Sequence, residues 1–160
     1  MRVVVQRVAR AAVRVEGETV GAIGPGLVVL CAFQSTDVTA CVQWMAAKLA
    51  DLRIFPDAEA KLNRSLRDVG GAVLAVSQFT LYGDCRKGRR PSFVGSAPAA
   101  QAAALYAKFL DALRAEGLSV ASGVFQAMME VELVNAGPVT LIIDREARDA
   151  QGADASEGAG

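Results

Sequence analysis

A glycine followed by a proline interrupts what would otherwise be one long apolar stretch near the end of this chain, with Met128 to Val134 on one side and Val139 to Ile143 on the other. The pair is hard to place inside a sheet: proline has no N–H to give, and glycine weakens a strand interior. The X-Pro link is also the only peptide bond that becomes cis at small cost. Gly137-Pro138 therefore reads in one of two ways. It is a hairpin turn between Val134 and Val139, or it presents bare backbone whose carbonyls act as fixed acceptors. A main-chain site of the second kind reads the common part of a substrate and ignores its variable part.

The rest of the chain supplies the frame for that pair. Its 160 residues are enough for one domain with a real core. Arg2 to Val8, Ala11 to Val15 and Thr19 to Ile23 read as strands, with a tight turn at Gly17-Glu18. Gly24-Pro25-Gly26 is a turn, and Leu27 to Phe33 is a continuous apolar run of buried-strand length. Ser35-Thr36-Asp37 is suited to cap a helix whose apolar stripe is Cys41, Trp44, Met45, Leu49 and Leu52, stopped at Pro56. Residues 57–71 are polar and turn-like, and Ala72 to Val76 is strand-like. A long loop over 83–97 precedes a second helix that starts near Pro98, buries Leu105, Phe109 and Leu113, and ends at Gly117. Leu118 to Val120, Val124-Phe125, Met128 to Val134 and Val139 to Ile143 are strand candidates. Strands do not alternate with helices, which predicts an α+β fold: a mixed or antiparallel sheet forming a partly closed, barrel-like layer with two main helices packed on it. Residues 1–144 form a single domain in this reading, and 145–160, without large apolar side chains, a disordered tail.

Composition closes off several chemistries. The chain has no histidine, which removes the commonest general base and the commonest transition-metal ligand together. Cys31, Cys41 and Cys85 form no CxxC pair and are odd in number, so neither a zinc site nor a disulfide framework is expected. The 17 basic and 17 acidic residues cancel, so any nucleic-acid contact must come from a local patch. No apolar run spans a bilayer and no signal-peptide order opens the chain, which leads us to expect a soluble cytoplasmic protein.

Two further segments carry chemistry. Ser77-Gln78-Phe79-Thr80-Leu81 holds two hydroxyls without a base beside them; they serve as nucleophiles or only hydrogen-bond the local backbone at a strand end. Arg86-Lys87-Gly88-Arg89-Arg90 is the one cation cluster, either a solvated loop or a phosphate contact flanked by Tyr82 and Phe93, which could stack on bases.

Together these segments resemble the D-aminoacyl-tRNA deacylase family. Ser77 to Leu81 is similar to its first signature and Gly137-Pro138-Val139-Thr140 to its second. Met1 to Val8, Ile23 to Leu27, Leu52-Arg53-Ile54-Phe55, Asn63-Arg64-Ser65, the Arg86 to Phe93 segment and Gly123-Val124-Phe125 add to the likeness, which covers residues 1 to about 144. After Phe125 the family usually reads Gly-Ala-Asp-Met, whereas this chain has Gln126-Ala127-Met128-Met129.

The resemblance implies a deacylase-like fold and hydrolysis of the ester of D-aminoacyl-tRNA, releasing D-amino acid and tRNA, without cofactor or metal. It implies a homodimer with active sites at the subunit interface, where a cis Gly137-Pro138, supported by Arg7, enters the partner's pocket and takes up the substrate's α-amino group. Ser77, Gln78, Phe79 and Thr80 would form the catalytic floor. Phe125 and Met129 would sit by the terminal adenosine, and Arg86, Lys87, Arg89 and Arg90 on the tRNA, with no membrane or DNA partner. The rivals are a small-ester hydrolase with Thr80 or Ser77 as nucleophile, a non-catalytic RNA-binding module, and the sister deacylase type that clears L-alanine.

Overall fold

The computed structural model describes residues 1–148. Eight strands and three helices follow in the order β1 (Arg2–Val15), β2 (Glu18–Ile23), β3 (Gly26–Ala32), α1 (Thr39–Asp51), β4 (Phe55–Pro56), β5 (Leu62–Arg64), α2 (Leu66–Val69), β6 (Ala72–Ser77), α3 (Ala99–Ala115), β7 (Ser119–Ser122) and β8 (Glu130–Asp144). A 3₁₀ turn, Phe79–Tyr82, follows β6. The main sheet runs β2-β1-β3-β6-β7, with β8 on the other edge of β1. β1 is antiparallel to β2, β3 and β8, whereas β3, β6 and β7 are mutually parallel through helical crossovers. The sheet curls until β2 approaches β7; the Ser122 carbonyl oxygen lies 2.7 Å from where a Cβ on Gly21 would stand, so closure requires glycine there. The expected α+β architecture is the one observed.

Alternation along the strands builds a core on each face of the sheet. Leu27, Val29 and Cys31 of β3 and Val73 and Ala75 of β6 face the helices, where Met45, Leu49, Phe109 and Leu113 are fully buried. Val28, Leu74 and Val76 face inward and meet Val8, Ala11 and Val13 of β1 in the barrel. β1 changes parity between Val8 and Ala11 because a one-residue bulge intervenes: Val8 pairs with Asn135 and Arg10 with Val134. The two strands expected over 2–8 and 11–15 are thus one strand with a kink. The first turn is Glu16-Gly17, both at positive φ, one residue earlier than expected.

Other expectations need correction. Ser35-Thr36-Asp37 does not cap α1; the N-cap is Val38, without a side-chain bond. Asp37 is buried and accepts from the Met1 ammonium at 2.5 Å and from the Gln34 amide at 2.8 Å. That ammonium also donates to the Arg145 carbonyl at 2.7 Å, so the buried pair has its hydrogen bonds made. α1 ends at Asp51, ahead of Pro56, where Leu52 turns extended. The polar 57–71 stretch holds β5 and the short α2, which starts at a capping box of Ser65 and Asp68. Val124-Phe125 and Met128-Met129 are not strand; they form the approach to β8. The expected tail over 145–160 lies outside the described residues from 149 onward, whereas Arg145 donates its amide to the Met1 carbonyl and stacks over Trp44.

Candidate active site

β6 ends at Ser77, and the chain there leaves the sheet for the 3₁₀ turn. The Gln78 amide still follows the ladder, donating to the Cys31 carbonyl at 2.8 Å. The next two amides, Phe79 and Thr80, open the turn; its internal bonds begin with Leu81 N–H to the Gln78 carbonyl, so both amides have no acceptor among the described residues. The Phe79 carbonyl accepts from Ser96 Oγ at 3.0 Å, and its ring meets Phe93 edge-on with centroids 5.2 Å apart. Phe93 is therefore engaged with Phe79 instead of standing free beside the basic loop. Tyr82, the other expected stacking ring, lies under the Arg2 guanidinium.

This turn is one wall of a cleft of ≈ 700 Å³. Ala32, Phe33 and Val76 line its floor, and small side chains just before and at the start of α3, Ala97, Ala99 and Ala102, keep it open. The opposite wall runs from Phe125 to Met129. Phe125 leans on Tyr106 with centroids 6.0 Å apart, and the Tyr106 hydroxyl donates to the Ala75 carbonyl at 3.0 Å. Met129 Sδ lies where a side chain at Gly123 would go, 2.5 Å from a Cβ placed there.

The cleft contains no carboxylate, amine, thiol or phenol among its lining residues; its polar side chains are Ser77, Gln78, Thr80 and Gln126. Gln78 Nε2 donates to Thr80 Oγ1, which occupies that hydroxyl locally. Nearby titratable groups are held out of reach of base chemistry at neutral pH. Burial pushes the Cys31 thiol far up, and burial, seconded by Asp37, does the same to the Tyr82 phenol. Among the described residues no cluster of acidic, cysteine or histidine side chains could hold a metal, and no helix is long and apolar enough to cross a membrane.

Gly137 and Pro138 are exposed and do not line the cleft of their own chain. Their peptide bond is cis. The hairpin reading fails on register. Thr140 pairs with Gln6 and Asn135 with Val8, so the two arms lie end to end on β1, and four residues, 136–139, face Arg7 alone. The pair is the crest of an outsized bulge. Arg7 bolts it down: Nε donates to the Ala136 carbonyl at 2.9 Å and Nη1 to the Ile54 carbonyl at 2.6 Å. Asn135 closes the base, accepting from the Val139 amide at 3.0 Å and donating to Thr140 Oγ1 at 2.9 Å.

The basic loop also lies outside the cleft. Asp84 and Ser92 exchange two backbone bonds at its neck, and Arg86 folds back onto Asp84 at 2.6 Å. Lys87, Arg89 and Arg90 are exposed and make no ion pair among the described residues. So one chain brings together Ser77 to Thr80, Phe125 and Met129, but neither the Arg7–Gly137–Pro138 corner nor the Arg86 to Arg90 cluster. Sequence reading missed Ser96 and the alanine lining, for which the run of small residues around Pro98 was the available signal; Gln126 it met only as a departure from the family pattern beside Phe125.

The family model described as D-Tyr-tRNA(Tyr) deacylase matches residues 4–144. The chain belongs to this family. It is 58% identical over 146 residues to the D-aminoacyl-tRNA deacylase of Desulfitobacterium hafniense, covering 91% of this chain and 98% of that one. The protein of the same name from Symbiobacterium thermophilum is also 58% identical, with 91% and 97% covered. Among solved structures, the c-Myc DNA Unwinding Element Binding Protein superposes with a TM-score of 0.85 at 39% identity, covering 92% of this chain and 100% of the other. A probable eukaryotic D-amino acid tRNA deacylase superposes at 0.78 with 23% identity, a likeness of fold.

Proposed function

We propose that this chain hydrolyses the ester of D-aminoacyl-tRNA and that the reaction is assisted by the substrate itself. The observation that carries this reading is the chemistry of the cleft: two backbone amides without an acceptor, beside a space with no titratable side chain, among the described residues. Such a site cannot supply a general base, but an aminoacyl ester is an activated acyl group, and positioning can account for most of the rate. Water attacks the ester carbonyl, the C–O bond to the ribose breaks, and the Phe79 and Thr80 N–H groups stabilise the oxyanion formed between. The 2′-hydroxyl of the terminal adenosine, held against Phe125 and Met129, orients the water. Thr80 as a covalent nucleophile ranks second, because its hydroxyl is paired with Gln78 and meets no base.

Chirality is read by a second copy of the chain. The outer edge of β8 pairs with nothing among the described residues and carries exposed Val131, Val134 and Ile142, a surface suited to a homodimer. Through that contact the Gly137-Pro138 carbonyls of one copy reach the cleft of the other and accept the α-ammonium. With amino and ester ends fixed, a D side chain points to solvent and an L side chain strikes the corner. Glycine, with nothing to exclude, is cleaved too. Lys87, Arg89 and Arg90, with Arg86 as the loop's internal clasp, contact tRNA phosphates.

The test is a deacylation assay on matched D-tyrosyl-, L-tyrosyl- and glycyl-tRNA, repeated with a terminal 2′-deoxyadenosine. Cleavage of the D and glycyl esters alone, slowed strongly by the 2′-deoxy end, is expected. Intact glycyl-tRNA overturns the exclusion model, and an unslowed 2′-deoxy substrate overturns the assistance. Binding of tRNA without turnover favours a nucleic-acid-binding module.

A further inference from the structure

We propose that Gln126 is a specificity residue that reads the edge of the terminal base. The inference rests on the deacylase reading above, in which the terminal adenosine lies on the Phe125 to Met129 wall. That wall is apolar except at one point. Phe125, Ala127, Met128, Met129 and Val131 offer faces and methyl groups, and Gln126 alone offers a hydrogen-bonding side chain. A flat base packs well on an aromatic ring and a thioether. Stacking of that kind accepts every base about equally. Discrimination on this wall therefore falls to Gln126. Its carboxamide carries one donor and one acceptor side by side, the pattern that complements the adenine N6 amino group and the neighbouring ring nitrogen.

The backbone gives the second, independent reason. Gln126 sits at φ +63 in a turn closed by the Ala127 amide to the Val124 carbonyl at 3.2 Å. Glycine takes that conformation freely, and a residue with a Cβ does not. Glu16 and Ala60 share that conformation, but of the three only Gln126 lines the cleft. The Gln126 carboxamide makes no hydrogen bond among the described residues, and it is exposed at the cleft mouth. A residue that burdens the turn and pairs with nothing inside the chain points to a ligand outside it.

The experiment compares wild type, Gln126→Gly and Gln126→Asn on D-tyrosyl-tRNA ending in adenosine or in purine riboside, which lacks the N6 amino group. Thermal melting of each protein is recorded alongside. For wild type, KM should rise about tenfold on purine riboside, with kcat changing less than about twofold. Gln126→Gly should show that raised KM already on adenosine, with no further rise on purine riboside. Its Tm should increase by about 2–4 °C as the left-handed turn relaxes. Gln126→Asn, which tolerates the same φ but reaches less far, should fall between the two in KM. A glycine variant with higher Tm and unchanged KM on adenosine makes Gln126 a mere turn residue and overturns the proposal. Wild type that cleaves both substrates with equal KM overturns it as well, leaving the deacylase reading intact. Wild type that cleaves neither ends both.

Discussion

The Gly137-Pro138 corner and the 84–92 loop are both exposed excursions from the same domain, yet they are built on opposite plans. The corner is four residues long, spans no more than the gap opposite Arg7, and is held by one bond from the Arg7 guanidinium, itself anchored on the Ile54 carbonyl, and by an asparagine clasp. The loop is closed at its neck by one bridge and pointed into solvent, with three cations that make no ion pair among the described residues. A rigid element suits a task decided by shape, since a carbonyl displaced by 1 Å no longer excludes a side chain. An exposed charged element suits phosphate, which binds wherever charge is near. Selectivity should therefore depend on the corner and affinity on the loop.

The largest effect should come from unbolting the corner. Arg7→Ala removes the donor from two part-buried carbonyls, Ala136 and Ile54, and should lower stability by about 2 kcal/mol in urea titration. The kcat/KM for D-tyrosyl-tRNA should fall about 100-fold, with the D-to-L ratio falling alongside. Arg7→Lys should not rescue it, because an ammonium cannot span two carbonyls as the planar fork does. Gly137→Ala tests the same corner from the other side. At φ +131, a Cβ would stand 2.5 Å from Arg7 Nη2 and 3.1 Å from Val139 Cγ2. An Arg7→Ala protein that keeps its D-to-L ratio would break the comparison.

The loop should fail differently. Replacing Lys87, Arg89 and Arg90 together by alanine should raise KM about tenfold near physiological salt and leave kcat alone. Three contacts to a single strand give a log–log salt slope of about −2, which the triple variant should lose. Stability should stay within about 0.5 kcal/mol, since none of the three side chains is bonded to the body among the described residues. A triple variant with normal KM but altered D-to-L ratio would reverse the assignment.

Much of the fold was legible in the sequence, and the remainder was hidden for physical reasons. The Leu27 to Phe33 run and the α3 stripe stand out because periodicity is local, whereas the Ser77 to Leu81 segment stood out through its resemblance to a family signature. The nature of the corner was not local. Choosing between a hairpin and a bulge depends on whether the flanking arms pair with each other or with a third strand, and β1 lies 120 residues or more upstream of that decision. Asp37 shows the same limit: beside Ser35 and Thr36 it looks like a cap, and only the fold brings it to the Met1 ammonium. Phe93, read as a free ring beside the cations, is claimed by Phe79 across the turn.

A smaller effect separates the cleft from both excursions. Thr80→Ala removes a hydroxyl already bonded to Gln78 but leaves the Thr80 amide in place. If the backbone does the work, kcat should change less than about threefold, whereas a nucleophilic hydroxyl would cost on the order of 10³ or more, the scale seen when a nucleophile is removed. Pre-steady-state kinetics on D-tyrosyl-tRNA would add the second readout, because an acyl-enzyme would give a burst and direct attack by water would not.

The smallest effect concerns the clasp inside the loop. The Arg86 side chain and amide hold the Asp84 carboxyl down at about 2, below the ordinary aspartate value of about 3.9. A carboxylate depressed in the folded state contributes only where it is ionised, so its contribution is complete above about pH 4 and is lost as pH falls toward 2. Between pH 5 and 9 the clasp should stay shut, and KM for tRNA should carry no ionisation from it. A carboxyl titration followed by NMR should put the Asp84 midpoint near 2 in wild type and near 4 in Arg86→Ala. That variant frees Asp84 to repel phosphate beside the remaining cations, so its KM should rise about twofold. If instead Arg86→Ala matched the triple variant in KM and salt slope, Arg86 itself would be a phosphate contact, and the loop would hold four working cations in place of three and a clasp.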